Sequence, residues 1–177
     1  LPVRIHYPNI NALAALAILS SADFAVELSA HPLTLRRVNS TPFVYPYRVT
    51  YRDCTLGNHV YYANYLGILE AARGEFFRHL GVTFLQWQEQ GFMFPVAEAQ
   101  LRYKALARYD DVLNVEVWLT TAERVRLNFG YRIVNQSSVL ILNAETHHVC
   151  MSLEEKMKRL PDALVTAVKP HLRLTAQ

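Results

Sequence analysis

Cysteine is scarce in this chain of 177 residues: Cys54 and Cys150 are the only two, with neither CxxC spacing nor a Cys/His cluster beside them. That excludes a disulfide-stapled scaffold, argues against structural zinc and favours a reducing compartment. Long apolar runs are missing as well. The longest near the start, Ala12 to Leu19, has eight residues, far below the roughly 20 that a membrane-spanning helix needs. Nor is there a broad excess of one charge. The net +3 sits in the first 52 residues, where five arginines face Asp23 and Glu27, and from Asp53 onward thirteen basic side chains balance thirteen acidic ones. Duplex nucleic acid favours a wide basic field, so the body of the chain suits at most a small anionic ligand. A Gly-rich phosphate loop, an HExxH pair, a GxSxG elbow, internal repeats and low-complexity tracts are all absent, which removes the main support for several enzyme classes. Together these absences predict no nucleic-acid partner, no membrane span, no metal, no cofactor and a cytoplasmic location.

What is present is a hydrophobic fraction of 51% against 19% charged residues. A chain of this length suits one domain and buries about 70% of its unfolded surface. Residues 9–30, rich in Ala, Leu and Ile, predict one or two short helices within an extension over 1–40. Tyr47 to Tyr51 alternates in character and predicts a strand; Asp53 to His59 predicts a loop in which Gly57 and Asn58 can take positive φ. From about Tyr62 to Leu80 the period changes. Leu66, Leu69, Ala72, Phe76 and Leu80 recur at three and four residues as one apolar helical stripe, and Gly81 is a natural stop. Period-two series follow: Ala97, Leu101 and Tyr103; Leu113, Val115, Val117 and Leu119; Leu127, Phe129, Tyr131 and Ile133; and the run from Val139 to Met151. Asp110-Asp111 and Asn135 to Ser138 predict turns, while Pro161 and Pro170 mark an irregular tail over 162–177. Strand, helix and four strands predict an α+β layer, an antiparallel sheet with a helix on its apolar face.

The polar cluster at the start of the long helix is the chemical candidate. Helix-start amides lack intrahelical partners, and an acyl carbonyl placed against one can develop negative charge there. The backbone of Tyr62 is the chosen donor; capping of the same amides by Asn58, Asn64 or water is the alternative. Asp53, Thr55, Asn58 and His59 precede the helix. Glu70 and Arg73, three apart on it, are spaced for an ion pair. His59 can be a base or a plain hydrogen-bonding residue, and inert thiols are expected at both cysteines.

The segment Val49-Thr50-Tyr51-Arg52-Asp53-Cys54-Thr55-Leu56-Gly57-Asn58-His59-Val60-Tyr61-Tyr62-Ala63-Asn64-Tyr65-Leu66, continued by Glu70-Ala71-Ala72-Arg73-Gly74-Glu75, resembles the hotdog-fold acyl-CoA thioesterases of the 4-hydroxybenzoyl-CoA thioesterase group. The runs Tyr103 to Leu113 and Ala144 to Met151, with Lys158 to Pro161 behind them, are similar to later parts of that family, so the likeness covers about 45–161. It implies a hotdog domain over 41–161, a curved antiparallel sheet wrapped around a long central helix, and assembly as a homodimer or dimer of dimers. It implies hydrolysis of an acyl-CoA or acyl-carrier-protein thioester, with Tyr62 matching the residue whose amide polarises the carbonyl.

The family's loop usually carries Asp, any residue, Asp. Here Asp53 matches the first acid, and Thr55 stands where the second attacks the thioester or directs water. Enediyne-pathway hotdog thioesterases also lack that acid and keep a helix arginine, which Arg73 matches. By that likeness Thr55 and Asn58 hold water, Arg73 stabilises charge or orders the loop, and Glu70 is the alternative base. Arg102, Lys104 and Arg108 are candidates for CoA phosphates, and Phe76 and Phe77 for an acyl tunnel. A domain that binds acyl thioesters without turnover, motivated by Thr55, is the second reading; a dehydratase-like enzyme is the third.

Overall fold

The computed structural model describes residues 41–173. The helices expected at 9–30, and the extension over 1–40 as a whole, lie outside the described residues. β1 (Phe43–Arg48) leads through a short 3-10 turn, Tyr51–Asp53, and a polar loop into α1 (Asn64–His79) and the short α2 (Phe84–Glu89). The chain then runs through β2 (Val96–Tyr103), β3 (Val112–Glu123), β4 (Arg126–Asn135) and β5 (Leu140–Val149) to α3 (Asp162–Val168). The strands form one antiparallel sheet in the order β1-β3-β4-β5-β2. This is the α+β hotdog arrangement expected, with α1 laid on the apolar face.

Alternation decides that face. Leu113, Val115, Val117 and Leu119 on β3, and Leu127, Phe129, Tyr131 and Ile133 on β4, are buried as the period-two series predicts. The turn between β4 and β5 is made by Asn135, whose Oδ1 accepts from the amides of Ser137 and Val139, with Ser138 at φ 62. Asp110 takes φ 69 at the other predicted turn. On the opposite face Trp118 lies over Gly130, its register partner, so closely that a Cβ at 130 would stand 2.5 Å from the indole.

α1 buries Tyr65, Ile68, Leu69, Ala72, Arg73, Phe76 and Phe77. Leu66, assigned to the stripe from spacing, is exposed, because the helix turns Tyr65 and Ile68 to the sheet instead. Gly81 at φ 81 ends the helix as expected. The tail is not irregular: α3 begins after Pro161, and Leu164 and Val168 are fully buried in the same core. Pro161 ends the preceding segment but tolerates a helix directly after it, since the amide it lacks has no intrahelical partner there.

Candidate active site at the start of the long helix

The loop before α1 folds as a small hairpin. Cys54 pairs with Val60 across it, the Thr55 amide donates to the His59 carbonyl at 2.9 Å, and the Asn58 amide donates to the Thr55 carbonyl at 3.0 Å. Of the two residues able to take positive φ, Asn58 does so at the tip, at φ 52, and Gly57 does not. Successive ladder pairs face opposite ways. Val60 and Cys54 pack towards the core, and Thr55 and His59 therefore share the other side. The Thr55 hydroxyl is 3.3 Å from both ring nitrogens of His59, so the threonine has an imidazole beside it. Thr55 also lines a cleft of about 730 Å³ with Tyr51, Cys54, Leu56, Asn58 and Tyr109.

Asp53 holds this hairpin. Its buried carboxylate accepts through Oδ2 from the Tyr47 hydroxyl at 2.8 Å, the Thr50 amide at 2.7 Å and the Thr50 hydroxyl at 2.8 Å. Burial, together with that carboxylate, pushes the Tyr47 hydroxyl up to about 12, so the phenol remains a donor. The Asp53 carbonyl accepts from the Tyr61 amide at 2.8 Å and from Asn64 Nδ2 at 3.0 Å. Asp53 thus ties β1, the 3-10 turn and the start of α1 together.

Tyr62 follows at once. Its carbonyl accepts from the Tyr103 hydroxyl at 2.9 Å, which ties the helix start to β2, while its amide and that of Ala63 find no partner among the described residues. The expected cappers are engaged elsewhere: Asn64 on Asp53, and Asn58 through Oδ1 on the Tyr109 amide at 3.2 Å. Asn58 therefore clamps the hairpin to the segment before β3 and lines the same cleft as Thr55, whose hydroxyl also lies against His59.

The Glu70–Arg73 ion pair does not form. Glu70 is exposed, and the pair on this helix is Arg78 with Glu75 at 2.7 Å. Arg73 turns inward, 9% exposed, with no carboxylate within ion-pair distance among the described residues. Its Nη1 donates to the Tyr131 hydroxyl at 3.3 Å, and its guanidinium lies over the rings of Phe84 and Phe129. Glu70 and Arg73 meet again as walls of a cleft of about 550 Å³ with Gly74, Phe84 and Phe94.

Behind Arg73 lies a set of residues to which the sequence assigned no role. The Tyr131 and Thr146 hydroxyls are 3.0 Å apart, Thr146 Oγ1 is 2.9 Å from His148 Nε2, and His148 Nδ1 is 3.0 Å from the Phe94 carbonyl. All three side chains are buried. Burial first, then the charge of Arg73, lowers His148 to about 4, and burial raises Tyr131. The available signal was parity: Thr146 and His148 sit at the inward positions that continue from Ala144.

The proposed ligand contacts are not gathered in one place. Phe76 and Phe77 are completely enclosed in the core and present no surface to a ligand. Arg108 donates to the Asn58 carbonyl at the hairpin, whereas Arg102 lines a groove on the far sheet face with Trp118 and Asn143, and Lys104 is an exposed residue just after β2. Both thiols are raised by burial, Cys54 and Cys150 alike. Among the described residues no helix is long and apolar enough to cross a membrane, and no group of three His, Cys, Asp or Glu could hold a metal.

Residues 49–168 match the family described as the thioesterase-like superfamily. Acyl-CoA thioester hydrolase YbgC of Escherichia coli is 35% identical over 133 residues, covering 75% of this chain and 99% of its own. 1,4-Dihydroxy-2-naphthoyl-CoA hydrolase of Thermosynechococcus vestitus is 27% identical, covering 75% and 92%. Among solved structures, a 1,4-dihydroxy-2-naphthoyl-CoA thioesterase from Synechocystis superposes with a TM-score of 0.68 at 28% identity, covering 72% of this chain and 95% of that one.

Proposed function

Since the chain belongs to the thioesterase-like superfamily of hotdog fold, we propose that it hydrolyses an acyl-CoA or acyl-carrier-protein thioester at the start of α1, in the manner of the 4-hydroxybenzoyl-CoA thioesterase group. The observation that carries this is the pair of unpartnered amides at Tyr62 and Ala63, which follow the Thr55–His59 contact by a few residues in the chain. The thioester carbonyl oxygen accepts from the Tyr62 amide, whose donor is already in place when charge develops, an arrangement worth roughly 3 to 4 kcal/mol in oxyanion sites. Water held by the Thr55 hydroxyl attacks the carbonyl carbon. His59 takes its proton, the C–S bond breaks as the oxyanion collapses, and the proton passes to the leaving thiolate. Thr55 and His59 thereby share the task of the family's second loop carboxylate.

In this proposal Arg73 supplies positive charge to the cleft that it lines with Glu70, Arg108, which donates to the Asn58 carbonyl of the hairpin, is the candidate for CoA phosphates, and the hydrolysis uses neither metal nor cofactor. A homodimer or dimer of dimers is the assembly in this proposal, supported by β2, an edge strand exposed over nearly its whole length. The domain is read as 41–161 with α3 added.

The test is thiol release from short, medium, long and aromatic acyl-CoAs, with and without chelator, for wild type, His59→Asn and Glu70→Gln, each checked for folding. Turnover is expected on one acyl class, unchanged by chelator, lowered about 10²- to 10⁴-fold by His59→Asn and little by Glu70→Gln. The reverse ranking assigns the base to Glu70. The absence of a loop carboxylate at Thr55 favours one second reading, a domain that binds acyl thioesters without turning them over; saturable binding with no thiol release would establish it.

A further inference from the structure

A buried arginine without a counter-ion is expensive, and an apolar side chain among Phe84 and Phe129 would pack there at lower cost. Arg73 is nonetheless enclosed, with its Nε unpartnered and its flank on the cleft between α1, Phe84 and Phe94. What fixes it is a chain of four side chains whose hydrogens can be placed by elimination. The Phe94 carbonyl only accepts, so His148 carries its proton on Nδ1 and its Nε2 accepts. Thr146 must give its single hydroxyl proton to that Nε2. Its oxygen is then left to accept from Tyr131, whose own oxygen accepts from Arg73 Nη1. Every proton points the same way, from α1 across β4 to β5 and the Phe94 carbonyl.

We propose that Tyr131, Thr146 and His148 form a one-way hydrogen-bond relay that holds the Arg73 guanidinium at the cleft wall, making Thr146 and His148 positioning residues for the hydrolysis. The geometry is that of the sheet: Tyr131 pairs with Ala144 and Phe129 with Thr146, so the two hydroxyls are diagonal neighbours on the inner face, and His148 lies two residues beyond Thr146 on the same face. The relay has one polarity only. A second proton on His148 would turn Nε2 into a donor, reverse Thr146 and then Tyr131, and leave the phenol proton facing the Arg73 donor. The charged and titratable groups around His148 are Arg73 from α1, Tyr131 from β4 through Thr146, and His147, its chain neighbour on the opposite face of β5; Arg73 and His147 both disfavour that proton.

This inference rests on the thioesterase reading for its kinetic arm and stands apart from it in its spectroscopic one. In ¹⁵N-labelled wild type the His148 imidazole is expected as the Nδ1–H tautomer at neutral pH, with Nε2 bare. Thr146→Val, which keeps shape and removes the hydroxyl, should shift the Arg73 Nε–H signal and lower kcat with KM little changed, by about tenfold to 100-fold as for a misplaced catalytic group. Thr146→Ser should recover most of that. In an Arg73→Met background Thr146→Val should cost almost nothing further, because both act through one guanidinium.

The Nε2–H tautomer, or a Thr146→Val loss of equal size with and without Arg73, overturns the relay. Should Thr146→Val fail to fold, the wild-type tautomer and Thr146→Ser decide. If wild type turns over no acyl thioester, the thioesterase reading fails by itself, and an Arg73 signal unmoved by Thr146→Val overturns the relay separately.

Discussion

Asp53 is the residue at which chemistry and scaffolding are most easily confused. By the resemblance it takes the place of the family's first loop acid, yet its Oδ2 is already shared by three donors and its carbonyl by two. Hydrogen bonds to a charged acceptor contribute about 1.5 to 3 kcal/mol each at most, and they are not additive when they share one oxygen. Asp53→Ala is therefore expected to lower the unfolding free energy by roughly 2 to 3 kcal/mol, read as a fall in the urea midpoint at unchanged slope; an unaltered midpoint would return Asp53 to the chemistry. At this scale the sequence was legible where a residue's partner is local. Tyr62 lies next to the element boundary that frees its amide; the Thr55–His59 contact, though only four residues wide, is not among the readings of the sequence, which sets Thr55 with Asn58 around a water. It was illegible where the partner comes from the sheet: spacing pairs Arg73 with Glu70, but Tyr131 and Thr146 lie 58 and 73 positions further on, and no local pattern announces them.

Among elements, strands were easier to read than helix faces. A strand has two sides and the alternation of β3 and β4 names the buried one without ambiguity, whereas α1 offers a continuum of directions: the spacing finds Leu69, Ala72 and Phe76 on the buried face but extends the stripe to Leu66, which is exposed. α3 was read as irregular because prolines flank it, though a proline just before a helix removes no bond the helix needs. Its contribution is measurable. Leu164 is fully buried where α3 packs on β3, so Leu164→Ala should cost about 2 to 5 kcal/mol in a calorimetric or denaturant melt, and a change under about 0.5 kcal/mol, typical of a surface site, would mean that α3 is dispensable to the core.

The molecule as a whole should be acid-sensitive through one group above others. His148 titrates near 4 when folded and near 6.5 when unfolded. The unfolded chain therefore binds the extra proton between those values, and the stability due to the neutral ring is complete above about pH 6.5 and lost as pH falls towards 4. The shift corresponds to about 3 kcal/mol, and His171, also lowered by burial, acts in the same direction. Melts at pH 7 and pH 4.5 should show a larger drop for wild type than for His148→Gln, while equal drops would deny His148 its buried neutral state. The same His148 that makes the protein acid-sensitive ends the relay proposed to hold Arg73 at its cleft, so stability and that cleft would respond to one group.

The central claim is hydrolysis by a site in which Thr55 and His59 replace a carboxylate. The most direct measurement follows free thiol and free carboxylic acid together from the preferred acyl-CoA, for wild type and Thr55→Asp. Equal yields of both products from wild type, with faster release and unchanged binding in Thr55→Asp, are the predicted result. Saturable binding by wild type with neither product released would contradict it.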